Sequence, residues 1–418
     1  MRKLLMIAYH YPPVKGSSGI QRTLKFSAYL REHGWEPIIL TVHPRAYAQV
    51  SDDQMGEIPA GMVVERAFAL DTSRHLALGK RYLGWMAQPD RWAAWTLGGV
   101  WSGLRLIRQH RPAAIFSTYP IATAHLIGLS LARSSGLPWI ADCRDSMTEP
   151  GYPTDPLTWK TNRRLEQSMV RHCTRAIFTT RGTLDMYAER YAEIPAERWA
   201  IIENGYDEEN FRDAEQGAAP APAGSRERLT LIHAGILYPA ERDPRPFFAA
   251  LAQLRDKGAV HAGNLRVVLR ASGNEAEYGK MLGALALTDF VELAPPVPYR
   301  AALQEMLEAD GLLLFQGSMC NHQIPAKLYE YFRAGRPLFT VADPVGNTAE
   351  TAQAAGADAI ADIRDAADIA RRLESFLEGL RQGTVRGVAP ETAARNSRKA
   401  RTAELAALLN SVTGSAGR

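Results

Sequence analysis

Cysteine is scarce in this chain and does not pair by spacing. Cys143, Cys173 and Cys320 are the only three in 418 residues, and none forms a C-x-x-C motif. That argues against a disulfide framework and against zinc or redox spacing, so reduced thiols in a cytoplasmic protein are expected. No metal-ligand cluster is visible, and the metal and cofactor expectation is none. Long apolar runs are missing as well. No stretch of about 18 apolar residues occurs, so no membrane span is expected, although the surface can touch a bilayer. The opening MRKLLMIAYHYPP imitates a signal peptide through Arg2 and Lys3, but its apolar run ends at His10, too soon for the hydrophobic region of such a signal. A first strand is expected there instead. Charge of one sign is also lacking. The formal net charge is +4, which by itself calls for no polyanionic partner, and no aromatic-basic sheet motif or recognition helix suggests nucleic acid.

What is present reads as globular and too large for a single core. With 46.1 kDa, 46% hydrophobic and 22% charged residues, two domains are expected. The basic excess sits early, since residues 1–212 hold 26 Lys and Arg against 21 Asp and Glu, and the remainder holds 23 against 24. Short apolar runs at 3–9, 36–42, 113–118, 137–142, 175–180 and 198–204 alternate with longer helix-period stretches, and Gly136 is a good helix stop. Such alternation predicts a parallel sheet covered on both faces, an α/β fold. Residues 213–228 are rich in Ala, Pro and Gly and read as a linker. After them the alternation restarts at 229–235, 265–271, 289–294, 310–316, 337–342 and 357–362. The expected organisation is therefore a first domain over 1–212, a linker over 213–228, a second domain over 229–388, and a closing helix over 389–418.

Ligands of doubly wound domains bind in loops leaving the carboxyl ends of the strands, so those loops carry the chemistry. In YHYPPVKGSSGIQR, Gly16 and Gly19 permit close backbone approach, and a helix starting near Ser18 or Gly19 would offer N–H groups to an anion. The pattern is neither G-x-G-x-x-G nor a P-loop, against a dinucleotide dehydrogenase or an NTPase; a plain tight turn is the alternative. Asp142, Arg144 and Asp145 follow a strand directly, either as chemistry or as an Arg144 clamp on both aspartates. His125 is expected about two turns into a helix, as a core or a functional residue. In HAGILYPAERDP, Arg242 can reach a phosphate, or else pair with Glu241 or Asp243. In CNHQIPAKLYEYFRAGRPL, Pro325 suits the first helical position and Gly335 the stop, with Lys327 and Glu330 on one face at i, i+3. That is suited to a nucleotide diphosphate and its ribose, or to an ordinary amphipathic helix.

Four ordered stretches, YPPVKGSSGIQR, IIENGYDEENF, HAGILYPAERDP and IPAKLYEYFRAGRP, together resemble the family-four glycosyltransferases of the GT-B fold. More narrowly they resemble the bacterial branch that builds exopolysaccharide, capsule and O-antigen repeats. The resemblance implies two Rossmann-like doubly wound domains facing across a cleft, with a C-terminal helix crossing back to the first. It implies retaining, metal-independent transfer from a UDP- or GDP-sugar to a lipid-linked or other saccharide acceptor. Donor contacts carried over are Gly16, Ser17, Ser18, Gly19, Gly235, Arg242, His322, Gln323, Ile324, Pro325, Ala326, Lys327 and Glu330, with Arg242 and Lys327 neutralising the leaving diphosphate and His125 beside the sugar. Two departures stand out: His322 occupies the position of the first acid in the family's E-x(7)-E pattern, and Ile236 replaces the usual Arg after the glycine.

Acceptor contacts are expected from Arg144, Asp145, Trp85 and Trp92 in the first domain. Residues 74–111 carry seven cations (Arg74, Lys80, Arg81, Arg91, Arg105, Arg108, Arg111) against Asp90 alone, with Trp85, Trp92, Trp95 and Trp101 interleaved. This suits the inner face of the cytoplasmic membrane over 74–90, and either that or core packing from Arg91 onward. Competing functions are a nucleotide-sugar epimerase of the same fold and a catalytically silent sugar-nucleotide-binding subunit.

Overall fold

The computed structural model describes residues 1–15, 19–79, 81–216 and 222–414. It divides into two compact units, Met1–Glu203 with Arg398–Arg418, and Asn204–Ser397.

The first unit is built on seven parallel strands. They are β1 (Arg2–Ile7), β2 (Trp35–Val42), β3 (Val63–Ala67), β4 (Ala114–Thr118), β5 (Trp139–Cys143), β6 (Arg175–Phe178) and β7 (Trp199–Ile201), in the order β3-β2-β1-β4-β5-β6-β7. Leu4, Leu5, Met6 and Ile7 are fully buried because β1 lies mid-sheet with helices on both faces. The second unit has six: β8 (Leu229–Ala234), β9 (Leu265–Arg270), β10 (Val291–Ala294), β11 (Gly311–Gln316), β12 (Leu338–Ala342) and β13 (Ile360–Asp362), ordered β10-β9-β8-β11-β12-β13. Both orders reverse direction at one point, between β1 and β4 and between β8 and β11. Chains leaving those strands diverge there and leave a crevice, so the loops after β1, β4, β8 and β11 are the ones positioned to hold ligands.

One strand, β3, lies outside the expected set. It is an edge strand of sequence VVERA, mostly half-buried, and Glu65 and Arg66 break the apolar run that marks the interior strands. The boundaries differ too. Residues 204–212 pack with the second unit because Phe211 is fully buried against that unit's core and Arg333 holds Glu208 at 2.7 Å and Glu215 at 2.8 Å. Within the expected linker, Gly224 N donates to Asp310 Oδ1 at 3.0 Å and Arg226 to the Glu308 carbonyl at 2.8 Å, so residues 222–228 lie on the second unit. A Cβ at Gly224 would stand 1.9 Å from the Leu380 carbonyl oxygen, and its φ of +77 is itself a glycine conformation.

The expected closing helix is two helices. Pro390–Arg395 stays with the second unit, and after Asn396 and Ser397 the Arg398–Gly414 helix joins the first. There it packs against the Gly19–Tyr29 helix with Leu405 and Leu409 buried in the first unit's core, and Trp35 Nε1 donates to Asn410 Oδ1 at 3.0 Å. Leu409→Ala removes a fully buried side chain from this junction and should lower the stability of the first unit by about 2–5 kcal/mol. Urea unfolding followed by tryptophan fluorescence measures it; a loss under about 1 kcal/mol would show that the helix is not part of that unit's core.

Each unit also encloses a histidine. His125 is 0% exposed and His233 3%, and burial depresses both to about pKa 4. Below about 6.5 the unfolded chain takes up protons that the native state refuses until about 4, so stability is lost as pH falls through that window. Urea midpoints should drop steadily from pH 7 to pH 4.5. His125→Gln should flatten that slope for the first unit, and an unaltered slope would contradict the burial of a neutral imidazole.

Candidate functional site

The second unit gathers most of the expected donor residues around the ends of β8 and β11. Strand β8 stops at Ala234, and Gly235 follows with φ +139, where a Cβ would lie 3.6 Å from Lys327 Cε. The lysine stem therefore passes over the glycine. Ala234 N donates to the buried Tyr331 hydroxyl at 3.0 Å, which pins the Lys327–Ala334 helix to the end of β8. Leu328, Tyr329, Tyr331 and Phe332 form that helix's buried face, and Gly335 at φ +64 terminates it. The start differs from expectation. The helix begins at Lys327 with Ala326 as its cap, and the Pro325 carbonyl accepts from Leu328 N at 3.0 Å.

Lys327 Nζ lies 3.0 Å from Glu330 Oε2, and Tyr299 donates to Glu330 Oε1 at 2.8 Å. Glu330 is 9% exposed, so its carboxylate is held in place rather than solvated. Arg242 donates from Nε to Gln316 Oε1 at 3.2 Å and lies 5.8 Å above the Tyr238 ring. Asp243 pairs instead with Arg245, at 2.6 Å, which removes it as the partner of Arg242. Arg242 and Lys327 both stand near enough to His233 for their charges to add to the effect of burial in lowering its pKa. Gly235, Arg242, Lys327 and Glu330 thus converge where the second sheet reverses.

His322, Gln323 and Ile324 lie in the loop before that helix, Ile324 buried and the other two half-buried. The loop is anchored from behind: Thr348 donates to the Gln323 carbonyl at 2.9 Å and Asn321 Nδ2 to Asp343 Oδ2 at 2.9 Å. Gln316 ties the arrangement together, accepting from Arg242 and donating to the Cys320 carbonyl at 3.3 Å. It ends an apolar strand, DGLLLFQ, and a polar residue closing such a strand at a reversal point is the signal that could have found it.

In the first unit, Gly16, Ser17 and Ser18 lie outside the described residues, as does Lys80. Gly19 opens the first helix, and its carbonyl accepts from Arg144 at 2.9 Å. Arg144 also donates to the Tyr119 carbonyl and, at 3.5 Å, to His10 Nδ1. It therefore sews together the loops after β1, β4 and β5. Burial, followed by the Arg144 charge, lowers His10 to about pKa 3.

The clamp of Arg144 on two aspartates is not what forms. Asp142 is bound bidentately by Arg22, at 2.7 and 3.1 Å, and accepts from Thr118 Oγ1 at 2.8 Å. Arg22 also donates to the carbonyls of Ile202 and Glu203, each at 2.9 Å. Asp145 is exposed. His125 sits in the first turn of the Ala122–Ser135 helix rather than two turns in. Its Nδ1 shares a 2.7 Å hydrogen bond with Ser117 Oγ, and its Nε2 faces Cys143 Sγ at 3.9 Å. The imidazole occupies the core between β4 and β5.

The tryptophans divide. Trp95 is fully buried, whereas Trp85 and Trp101 are each 68% exposed. Trp92 is half-buried, its ring 4.4 Å from Tyr9 and its Nε1 donating to the Ala46 carbonyl at 3.3 Å. Leu78, Leu83 and Leu97 are exposed beside them. Among the described residues no helix is long and apolar enough to cross a membrane, and no group of three His, Cys, Asp or Glu is placed to hold a metal.

Comparison with known proteins bears on both units. Residues 18–205 match the family described as a Glycosyl transferase 4-like domain. No curated protein sequence matches the chain. Among solved structures, a sucrose-phosphate synthase from Thermosynechococcus elongatus superposes with a TM-score of 0.67 at 12% identity, covering 99% of this chain and 100% of that one. HepE of Anabaena, in complex with UDP and glucose, gives 0.63 at 14% identity over 98% and 100% of the two chains. A putative UDP-N-acetylglucosamine 2-epimerase from Listeria monocytogenes gives 0.60 at 13% identity over 98% and 96%. At these identities the likeness carries the fold alone: two Rossmann-like parallel-sheet units of the GT-B class.

Proposed function

We propose that this chain is a retaining, metal-independent glycosyltransferase. It moves a sugar from a UDP- or GDP-sugar to a lipid-linked saccharide acceptor in cell-surface polysaccharide assembly. The observation that carries the reading is the convergence of Gly235, Arg242, Lys327 and Glu330 at the reversal point of the second sheet. Support comes from the glycosyl transferase 4-like match over residues 18–205 and from HepE, a neighbour of the same fold solved with UDP and glucose.

In this reading the bond between the anomeric carbon and the diphosphate oxygen breaks, an acceptor hydroxyl bonds to the same face of that carbon, and the hydroxyl's proton passes to the departing diphosphate oxygen. Negative charge grows on the departing diphosphate. Arg242 and Lys327 are the groups that meet it, and a charge-matched, preorganised pair lowers the barrier because it interacts more strongly with the transition state than with the bound donor. Gly235 leaves room for the phosphates beside the lysine. Glu330, already fixed by Tyr299, accepts hydrogen bonds from the ribose hydroxyls. His125, expected beside the sugar, is assigned instead to holding β4 against β5 through Ser117 and Cys143. The exposed Leu78, Leu83 and Trp85 with their neighbouring arginines would lie against an anionic inner leaflet.

A thermal-shift screen against UDP, GDP and ADP tests the reading first, since a ligand bound only by the folded chain raises its melting temperature. UDP or GDP should stabilise, and Glu330→Ala should abolish most of that shift. Indifference to all three nucleotides would remove the donor assignment. Lys327→Ala and Arg242→Ala should each slow transfer to lipid-linked acceptor in membrane extracts by more than about tenfold, with kcat falling more than KM rises. Near-normal rates in both would refute the leaving-group role. Formation of an epimer from donor alone would favour the epimerase of the same fold, and donor binding with no labelled lipid product would favour a silent binding subunit.

A further inference from the structure

Near its end strand β8 carries a buried histidine that the proposed donor chemistry does not use. His233 stands two residues before Gly235, and its ring packs edge-on against Phe315 with centroids 5.2 Å apart. Its Nδ1 lies 2.9 Å from the Leu313 carbonyl oxygen on β11. A carbonyl only accepts, so the ring proton sits on Nδ1 and Nε2 presents a lone pair. That Nε2 is buried and has no hydrogen-bond partner among the described residues. An unmatched buried acceptor is destabilising, so its presence beside the donor residues calls for an explanation.

The surroundings of the ring pull in two directions. Burial, and then the charges of Arg242 and Lys327, hold the imidazole down at about pKa 4, whereas the carbonyls of Leu313 and Gly235 favour the charged ring. Arg242 reaches it from the loop after β8 and Lys327 from the Lys327–Ala334 helix, where Glu330 is already paired with the lysine at 3.0 Å. Strand β11 faces it with the Leu313 carbonyl and the uncharged Phe315. The two cations are the ones assigned to the diphosphate. An arriving diphosphate offsets their charge and leaves the two carbonyls still favouring a second proton.

We propose that His233 is a positioning residue of the donor site: when a nucleotide diphosphate engages Arg242 and Lys327, Nε2 takes a proton from solvent, and the imidazolium holds the carbonyls of Leu313 and Gly235. The loop after β8 is thereby tied to β11 at the reversal point while the nucleotide is bound. This role depends on the donor assignment made under the proposed function. Linkage sets its sign. The free ring is neutral above about pH 4 and the bound ring stays charged to a higher pH, so binding takes up a proton between those limits and tightens as pH falls through them.

His233→Asn keeps an N–H donor for the Leu313 carbonyl and cannot be charged. UDP, or GDP if that is the nucleotide that stabilises the chain, is titrated into both proteins from pH 7.5 to pH 5, and the nucleotide's own ionisation cancels between them. The two should bind alike at pH 7.5, and by pH 5 the wild type should bind at least about threefold more tightly than the variant. A histidine with a merely structural role would weaken the variant equally at every pH. Melting without ligand checks that the variant folds. If it does not, carbon-13 NMR of histidine-labelled wild type decides: with saturating nucleotide, one ring that is neutral at pH 5 in the free chain should titrate above pH 5. Parallel pH profiles, or no newly titrating ring, overturn the role of His233 and leave the donor site standing; no nucleotide bound at any pH overturns both.

Discussion

The buried ion pair between Arg22 and Asp142 is the constraint on which the first unit depends. Asp142 ends the apolar run of β5 and is fully buried, so its charge is tolerable only if every lone pair is matched. Arg22 supplies two N–H groups and Thr118 a third donor, while the guanidinium's remaining hydrogens reach Ile202 and Glu203 beyond β7. A single side chain from the first helix thus fixes the carboxyl ends of β4, β5 and β7 together. It also decides what Arg144 does. With Asp142 taken, Arg144 turns to the carbonyls of Gly19 and Tyr119, and the loops after β1 and β4 are drawn onto one cation. Tyr119 and Gly19, the first residue of the first helix, are placed by this second step.

The second unit uses weaker pairs where something has to change. Arg333 grips Glu208 and Glu215 and fastens the 204–216 segment, a static joint. Lys327 and Glu330, in contrast, form a single i, i+3 contact with the lysine about a third exposed. Pairs of this kind contribute about 0.3–0.5 kcal/mol. In the proposed function an incoming diphosphate takes the lysine from the carboxylate, and the freed oxygen of Glu330 turns to a ribose hydroxyl. Tyr299 keeps the other oxygen fixed during that exchange. Weakness here is compatible with function in a way it would not be for Arg22 and Asp142.

The interior strands were legible because burial on both faces forces unbroken Val, Ile and Leu runs, and the reversal-point loops follow from strand order alone. Edge strand β3 was not legible, since half-burial admits Glu65 and Arg66. Composition placed the domain boundary at the Ala- and Pro-rich stretch, but the contacts made by Phe211 and Arg333 move it back to 203/204. Spacing brought out Lys327 and Glu330, which sit three apart on one helix. It could not pair Arg22 with Asp142, 120 residues away, or decide whether Arg144 or Arg22 wins the carboxylate, because that depends on which guanidinium the packed helix brings within reach.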